Sequence, residues 1–266
     1  MKRNELIKRS MEEGLPPKIL EKEELQIYIL SELFSLPEAT LLTFQGGTCL
    51  RLIYNGVRYS EDLDFVTTAR PQDIKNIYTN LSRSLPRLEP LFESKLKLVE
   101  QKESKTFYRF KVHNQKTSPP ESFFVSLEFA CYPAYTLNIA PLKPQKELPG
   151  LPPVLVRAES LEEILADKLC AIGGRKFCKG RDIFDLWLLK QKNILLKPEL
   201  LAKKLKDYSV SINDLKKGLA LASIENVKSE MERFLPLKYR RQFESDNYQV
   251  VLSEAKTLIE KGIKSL

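Results

Sequence analysis

Apolar residues between positions 16 and 35 recur close to a helical period. Ile19, Leu25, Ile29, Leu30 and Leu33 fall on one stripe and predict a helix. A short β-leaning run, Ala39–Phe44, is punctuated by Gln45-Gly46-Gly47 and gives way to a helix over Thr48–Tyr54, stopped at Asn55-Gly56. Leu63–Thr67 reads as a second strand and Gln72–Leu85 as a helix ending at Pro86. The period then changes to two. After a weak strand signal at Lys95–Val99, Thr106, Tyr108, Phe110 and Val112 share one face and Phe107, Arg109, Lys111 and His113 the other; Ser122–Phe129 alternates in the same way. Helices interleaved with strands, then consecutive strands, predict a mixed α/β sheet.

Five prolines between Pro141 and Pro153, with Gly150 among them, break this pattern, because such a stretch fits neither a helix interior nor a central strand. Beyond it the reading is helical: Ser160–Ile172, Arg181–Gln191, Pro198–Tyr208, Ile212–Leu221, Ile224–Phe234 and Asn247–Lys264. The expected organisation is an α/β domain over residues 1–150 and an all-helical bundle over 151–266.

The chain has 266 residues, and 42% hydrophobic content is enough for a real core. The longest charge-free stretch, Phe129–Leu142, is interrupted by prolines and is too short to span a membrane, so no membrane partner is expected. The charged N-terminus has no apolar signal-peptide core, which points to a cytoplasmic protein. Cys49, Cys131, Cys170 and Cys178 show no C-x-x-C spacing and read as reduced thiols. A net charge of +8 favours a polyanionic partner such as nucleic acid or nucleotide. His113 is the single histidine, which excludes H-E-x-x-H metalloproteases; G-x-S-x-G, G-x-G-x-x-G and Walker patterns are missing too. The chemistry left open runs on carboxylates, lysine and bound metal.

Residues 45–65, QGGTCLRLIYNGVRYSEDLDF, carry the most information. A strand ends in Gly46-Gly47 and a helix starts at once, a corner whose backbone N–H groups suit phosphate, with the Thr48 hydroxyl beside them; a plain strand-to-helix turn capped by Thr48 has the same sequence. On the following strand Asp62 and Asp64 share one face and Leu63 and Phe65 the other. Two carboxylates crowded on one face repel unless a cation sits between them, and Mg²⁺ is the natural guest. Glu128, on the polar side of Phe123–Phe129, would be a third metal carboxylate if its strand pairs with theirs, or an ordinary exposed strand glutamate. In the helical half, Ser160 and Glu163 form a capping box. Lys168 falls in the apolar stripe of Leu161, Ile164, Leu165, Leu169 and Ile172, either snorkelling or holding a triphosphate. A basic loop, Arg175–Arg181, runs into Asp182 and Asp185, which lie near one helix face. Asp182 is a helix N-cap, or a carboxylate that orients Lys168 or deprotonates an attacking hydroxyl. Asp185, in an otherwise apolar run, is not explained as a cap. Lys203, Lys204, Lys206, Lys216, Lys217, Lys238, Arg240 and Arg241 form a plausible nucleic-acid surface or solvated helix faces.

Gly46-Gly47-Thr48, Arg58–Phe65 (RYSEDLDF), Glu163–Leu169 (EILADKL) and Arg181–Leu186 (RDIFDL) resemble, in order, the four motifs of the AbiEii-type nucleotidyltransferase toxins, a group that includes the MenT toxins. The resemblance implies a DNA polymerase β-like nucleotidyltransferase fold with a helical C-terminal domain. It implies Mg²⁺-dependent transfer of a nucleotide from an NTP, a pyrimidine one favoured, to the 3′ acceptor end of tRNA, which blocks translation. It also implies a cognate antitoxin encoded nearby, in a toxin–antitoxin or abortive-infection system. By position, Asp62 and Asp64 would be the metal and catalytic acids, Lys168 and Asp182 the catalytic pair, and Gly46, Gly47, Thr48, Arg58, Ser60 and Asp185 nucleotide-binding residues. Two alternatives share the fold: an antibiotic-modifying nucleotidyltransferase, and a non-catalytic RNA- or partner-binding module.

Overall fold

The computed structural model describes residues 3–117, 122–144 and 146–266. The chain divides into two compact units, Met1–Ala158 and Glu159–Leu266.

The first unit is built on a seven-stranded mixed sheet. Its strands are β1 (Leu42–Gln45), β2 (Asp62–Thr67), β3 (Lys95–Ser104), β4 (Phe107–Gln115), β5 (Phe123–Ala130), β6 (Leu137–Pro141) and β7 (Leu155–Glu159), in the order β3-β4-β5-β2-β1-β7-β6. β2 runs antiparallel to β1 and parallel to β5, and β3–β4–β5 is antiparallel throughout. The helices are α1 (Arg3–Glu13), α2 (Pro17–Phe34), α3 (Gly46–Leu52), α4 (Pro71–Ser84) and the single turn α5 (Glu89–Phe92). One sheet face carries an aromatic chain. Phe44 and Phe65 lie 5.4 Å apart between ring centres, Phe65 stacks on Phe129 at 5.1 Å, and Phe129 meets Phe110 at 5.5 Å. All four rings are buried, with Leu63, Val125 and Leu127 beside them. The two-residue period of a strand then sends Asp62 and Asp64 to the opposite face, where both are half-buried. The aromatic core therefore fixes which way the acid pair points.

Local differences from the sequence expectation have physical causes. Residues 39–41 are not strand. Pro37 fixes its own φ and opens one 3₁₀ turn, Pro37–Leu41, so β1 begins at Leu42. The strand β7 emerges from the stretch after the prolines, where no strand is expected. It is only five residues long, yet Val156 and Ala158 are buried, and Ala158 pairs with Phe44 in parallel. β6, which ends in Pro141, sits at the sheet edge, where proline costs least. The charged N-terminal stretch, which shows no apolar stripe, is the helix α1.

The second unit is helical: α6 (Leu161–Gly174), α7 (Gly180–Gln191), α8 (Pro198–Asp207), α9 (Ile212–Leu221), α10 (Ile224–Phe234), the short α11 (Leu237–Arg240) and α12 (Gln249–Lys264). α6 packs on α7, α8 and α9, and α7 on α10 and α12. Ser160 caps α6 by accepting the Glu163 N–H at 3.2 Å. No helix among the described residues is long and apolar enough to cross a membrane.

Candidate active site

The corner between β1 and α3 faces Asp64 directly. Gln45 is in register with Asp64, so Gly46 follows beside the Asp64 carboxylate. Gly46 has φ +80°, and a Cβ there would run into Asp64 Oδ2. At Gly47 a Cβ would run into the guanidinium of Arg58 and come within 3.0 Å of Ser60 Oγ. Both glycines leave room for a neighbouring functional side chain, and four of the expected residues (Gly46, Gly47, Arg58 and Ser60) meet Asp64 at one corner. The Thr48 hydroxyl is used differently from either expectation. It is buried and donates to the Asp62 carbonyl oxygen, tying α3 to the start of β2. It does not cap the helix, whose N-cap is Gln45.

The loop carrying Arg58 and Ser60 is pinned at nearly every residue. Arg51 Nη1 donates to the carbonyls of Gly56 (3.2 Å) and Val57 (3.1 Å), and Gln26 Nε2 donates to that of Ser60 (3.1 Å). Arg58 Nη1 donates to its neighbour's carbonyl at 3.0 Å, and Lys22 pairs with Glu61 at 3.0 Å. Tyr59 is fully buried beneath them. The Arg51 guanidinium lies 3.9 Å over its ring, its hydroxyl donates to Glu13, and Arg9 donates to that hydroxyl at 2.8 Å. Arg51 is held in turn by Glu23 at 2.6 Å. Burial, then the Glu23 carboxylate, raise the Tyr59 phenol well above its ordinary value, so it stays protonated and keeps donating. Sequence reasoning passed over Arg9, Glu13, Lys22, Glu23, Gln26, Arg51 and Tyr59. The one signal was negative: the charges of α2 leave it no clear polar face, and its buried residues include Lys22, Glu23, Glu24 and Gln26.

Glu128 is in register with Asp64 on the parallel neighbour strand, as Ser126 is with Asp62. Its carboxylate accepts from Arg109 Nε at 2.9 Å on the far side. Among the described residues, no three His, Cys, Asp or Glu side chains are gathered into a metal cage. Asp62 and Asp64, two hard oxygen donors on one face with glycine opposite, fit an ion that takes its remaining ligands from water and substrate phosphates, as Mg²⁺ does.

The second cluster lies within the helical unit. Lys168 is buried; its Nζ sits 3.0 Å from Asp182 Oδ1 and 2.7 Å from Asp185 Oδ2. Arg175 holds the other Asp182 oxygen. Burial pushes the Asp182 carboxyl up, but Lys168 and then Arg175 outweigh it and hold the group down at about 2. Such a carboxylate is a poor proton acceptor, so of its expected roles the geometry supports orienting Lys168. It is not the N-cap of α7, a position held by Lys179. Asp185, expected among the nucleotide-binding residues, is fully buried and paired with Lys168. Lys204 also departs from its expected place on a nucleic-acid surface. It is buried, with Nζ 2.9 Å from Glu159, 2.7 Å from Glu163 and 3.1 Å from Asp167. The Glu163 carboxylate thus reaches a buried ion cluster, while its backbone N–H serves the start of α6 through Ser160.

A mixed sheet presenting D-x-D beside a glycine corner, followed in the chain by a lysine–aspartate cluster on helices, defines a nucleotidyltransferase-type scaffold. The fold matches MenT4, the nucleotidyltransferase toxin Rv2826c of Mycobacterium tuberculosis H37Rv, at a TM-score of 0.61 and 15% identity, covering 99% of this chain and 98% of that one. It also matches JHP933 of Helicobacter pylori at 0.56 and 22% identity, covering 94% and 95%. No curated protein matches. Residues 28–256 match the family described as nucleotidyl transferase AbiEii toxin, Type IV TA system, and the chain belongs to that family. It is thus a nucleotidyltransferase toxin of a toxin–antitoxin system.

Proposed function

We propose that the protein transfers a nucleotide from an NTP, a pyrimidine one favoured, to the 3′-hydroxyl at the acceptor end of tRNA, and thereby stops translation. The observation that carries this reading is the corner itself: Asp62 and Asp64 on one strand face, against two glycines that a side chain would displace from Asp64 and Arg58. Asp62 and Asp64 would hold Mg²⁺, which when bound neutralises triphosphate charge. The Gly46–Thr48 backbone receives phosphate oxygens, and Arg58 and Ser60 supply further donors at the same corner. Lys168, fixed in direction by Asp182 and Asp185, supplies an ammonium for the triphosphate. The acceptor oxygen forms its bond to the α-phosphorus as the bond to pyrophosphate breaks, a reaction that depends mostly on positioning and electrostatics. A cognate antitoxin encoded nearby would neutralise the toxin.

The test is incubation of purified protein with total tRNA, Mg²⁺ and each α-³²P-labelled NTP in turn. Label on tRNA with at least one NTP supports the reading. Label on an aminoglycoside but not on RNA moves the assignment to a small-molecule acceptor.

A further inference from the structure

The sheet face that carries Asp62 and Asp64 does not end with them. Register continues it outward: Asp62 pairs with Ser126, Ser126 with Lys111, and Lys111 with Val99; Asp64 pairs with Glu128, Glu128 with Arg109, and Arg109 with Lys102. A third row runs from Phe124 to His113 to Lys97. Alternation sorts the charges of this hairpin by face. Lys97, Lys102, Arg109 and Lys111 share the face of the aspartates, whereas Glu100 and Glu103 pair with Phe110 and Tyr108 and lie on the other. The acid Glu128 on the cationic face is neutralised by Arg109 at 2.9 Å.

Phe124 stands in the middle of these cations with 38% of its surface exposed. Lys111 Nζ lies 4.0 Å from its ring centre and Lys22 Nζ 5.4 Å, and the His113 ring centre is 5.8 Å away. Burial, then Lys111 and Lys97, hold His113 below its ordinary value, so at neutral pH this ring is an uncharged neighbour within a positive field. A partly exposed aromatic ring interleaved with lysines is the kind of arrangement that binds single-stranded nucleic acid, with cations on phosphates and a ring under a base. Three strand spacings of about 4.8 Å carry the strip about 14 Å from the acid pair, room for a few nucleotides.

We propose that this strip, across β5, β4 and β3, is the platform for the single-stranded 3′ segment of the acceptor RNA, with Lys97, Lys102 and Lys111 on phosphates and Phe124 under a base. The proposal rests on the RNA-acceptor reading above and adds where the strand lies. RNA is favoured over an acidic polypeptide because the strip is continuous with the aspartates and because a polypeptide carboxylate uses the lysines and leaves the ring idle.

The experiment is fluorescence anisotropy on the full chain with a fluorescein-labelled 12-nucleotide single-stranded RNA, the same sequence as a blunt duplex, and a polyglutamate peptide. Lys97→Glu with Lys111→Glu is expected to weaken single-strand binding at least about 10-fold and to lower the slope of log Kd against log salt by about 1.4. Phe124→Ala is expected to weaken it about 10-fold with the slope unchanged and to leave duplex binding nearly untouched. Lys97→Ala, a milder change on an exposed strand position, gives the same direction should the double reversal fail to fold. Unchanged single-strand affinity in the charge variants overturns the proposal. So does a Phe124→Ala variant that binds RNA like wild type while the charge variants lose the peptide, which would make the strip an acidic-protein site. Wild-type transfer from labelled NTP is measured alongside: its absence contradicts the enzyme reading, whereas the variants' RNA affinities report on the platform alone.

Discussion

Gly46 is where one methyl group decides the most. Its φ of +80° is costly for any other residue, by roughly 1–2 kcal/mol, and its missing Cβ is what lets the Asp64 carboxylate close on the corner. Gly46→Ala is therefore expected to lower Tm by a few degrees and to abolish thermal stabilisation by Mg²⁺–NTP; a variant that is stabilised by Mg²⁺–NTP as strongly as wild type would separate the corner from nucleotide binding. At Asp182 the consequence is a pH dependence. Its folded value of about 2 lies below the ordinary 3.8, so its contribution to stability is complete above pH 3.8 and is lost as pH falls through 2. That contribution is about 2 kcal/mol. Wild type should lose it between pH 4 and 2 in urea-unfolding experiments. Asp182→Asn, less stable at the outset, should show a flatter profile over that window, and parallel profiles would contradict the pairing. Asp62, Asp64, Lys168 and both glycines were legible in the sequence as residue types at meaningful spacings. The Arg9–Tyr59–Arg51–Glu23 network was not, because a buried ion pair leaves no period and its members lie up to about fifty positions apart.

At the scale of elements, the strands with strict alternation, β4 and β5, were read within a residue or two, and so were the helices with apolar stripes, because burial of one face is what writes the pattern. What escaped was set by neighbours. β7 is too short to show a period and exists because β1 has a free edge beside it; α1 has no apolar stripe and is held to the loop before β2 by Arg9 and Glu13. The sharpest element-scale prediction concerns α8 and α6. Lys204 on α8 is ringed by Glu159, Glu163 and Asp167. One cation among three buried acids leaves an excess of negative charge, and burial together with Asp167 pushes the Glu159 carboxyl well above its ordinary range. Lys204→Met should cost about 3–5 kcal/mol, since it strands three carboxyl groups in the interior. Glu159→Gln should be tolerated, because the native group is already inclined to hold a proton. Equal losses from the two substitutions, measured by chemical unfolding at pH 7, would contradict this account of the cluster.

For the whole molecule, the decisive sequence information was order: four short motifs, each weak alone, run through residues 46–186 and together resemble those of the AbiEii-type toxins, in a chain of +8 net charge whose residues 28–256 match that family. What order could not supply was the use of each residue. Thr48, Asp185 and Lys204 all turn inward, to a carbonyl oxygen, a lysine and three carboxylates, and only packing assigns those partners. In the proposed function, the glycine corner with Asp62 and Asp64 drives nucleotide transfer to tRNA with the help of Lys168. The most direct measurement of that transfer is incorporation of α-³²P-NTP into total tRNA by wild type, Asp62→Ala and Lys168→Ala at matched, verified folding. Wild type is expected to label the tRNA 3′ end and each variant to lose about 10³-fold or more of that activity; wild type that labels no tRNA with any of the four NTPs, or variants that label it at the wild-type rate, would overturn the assignment.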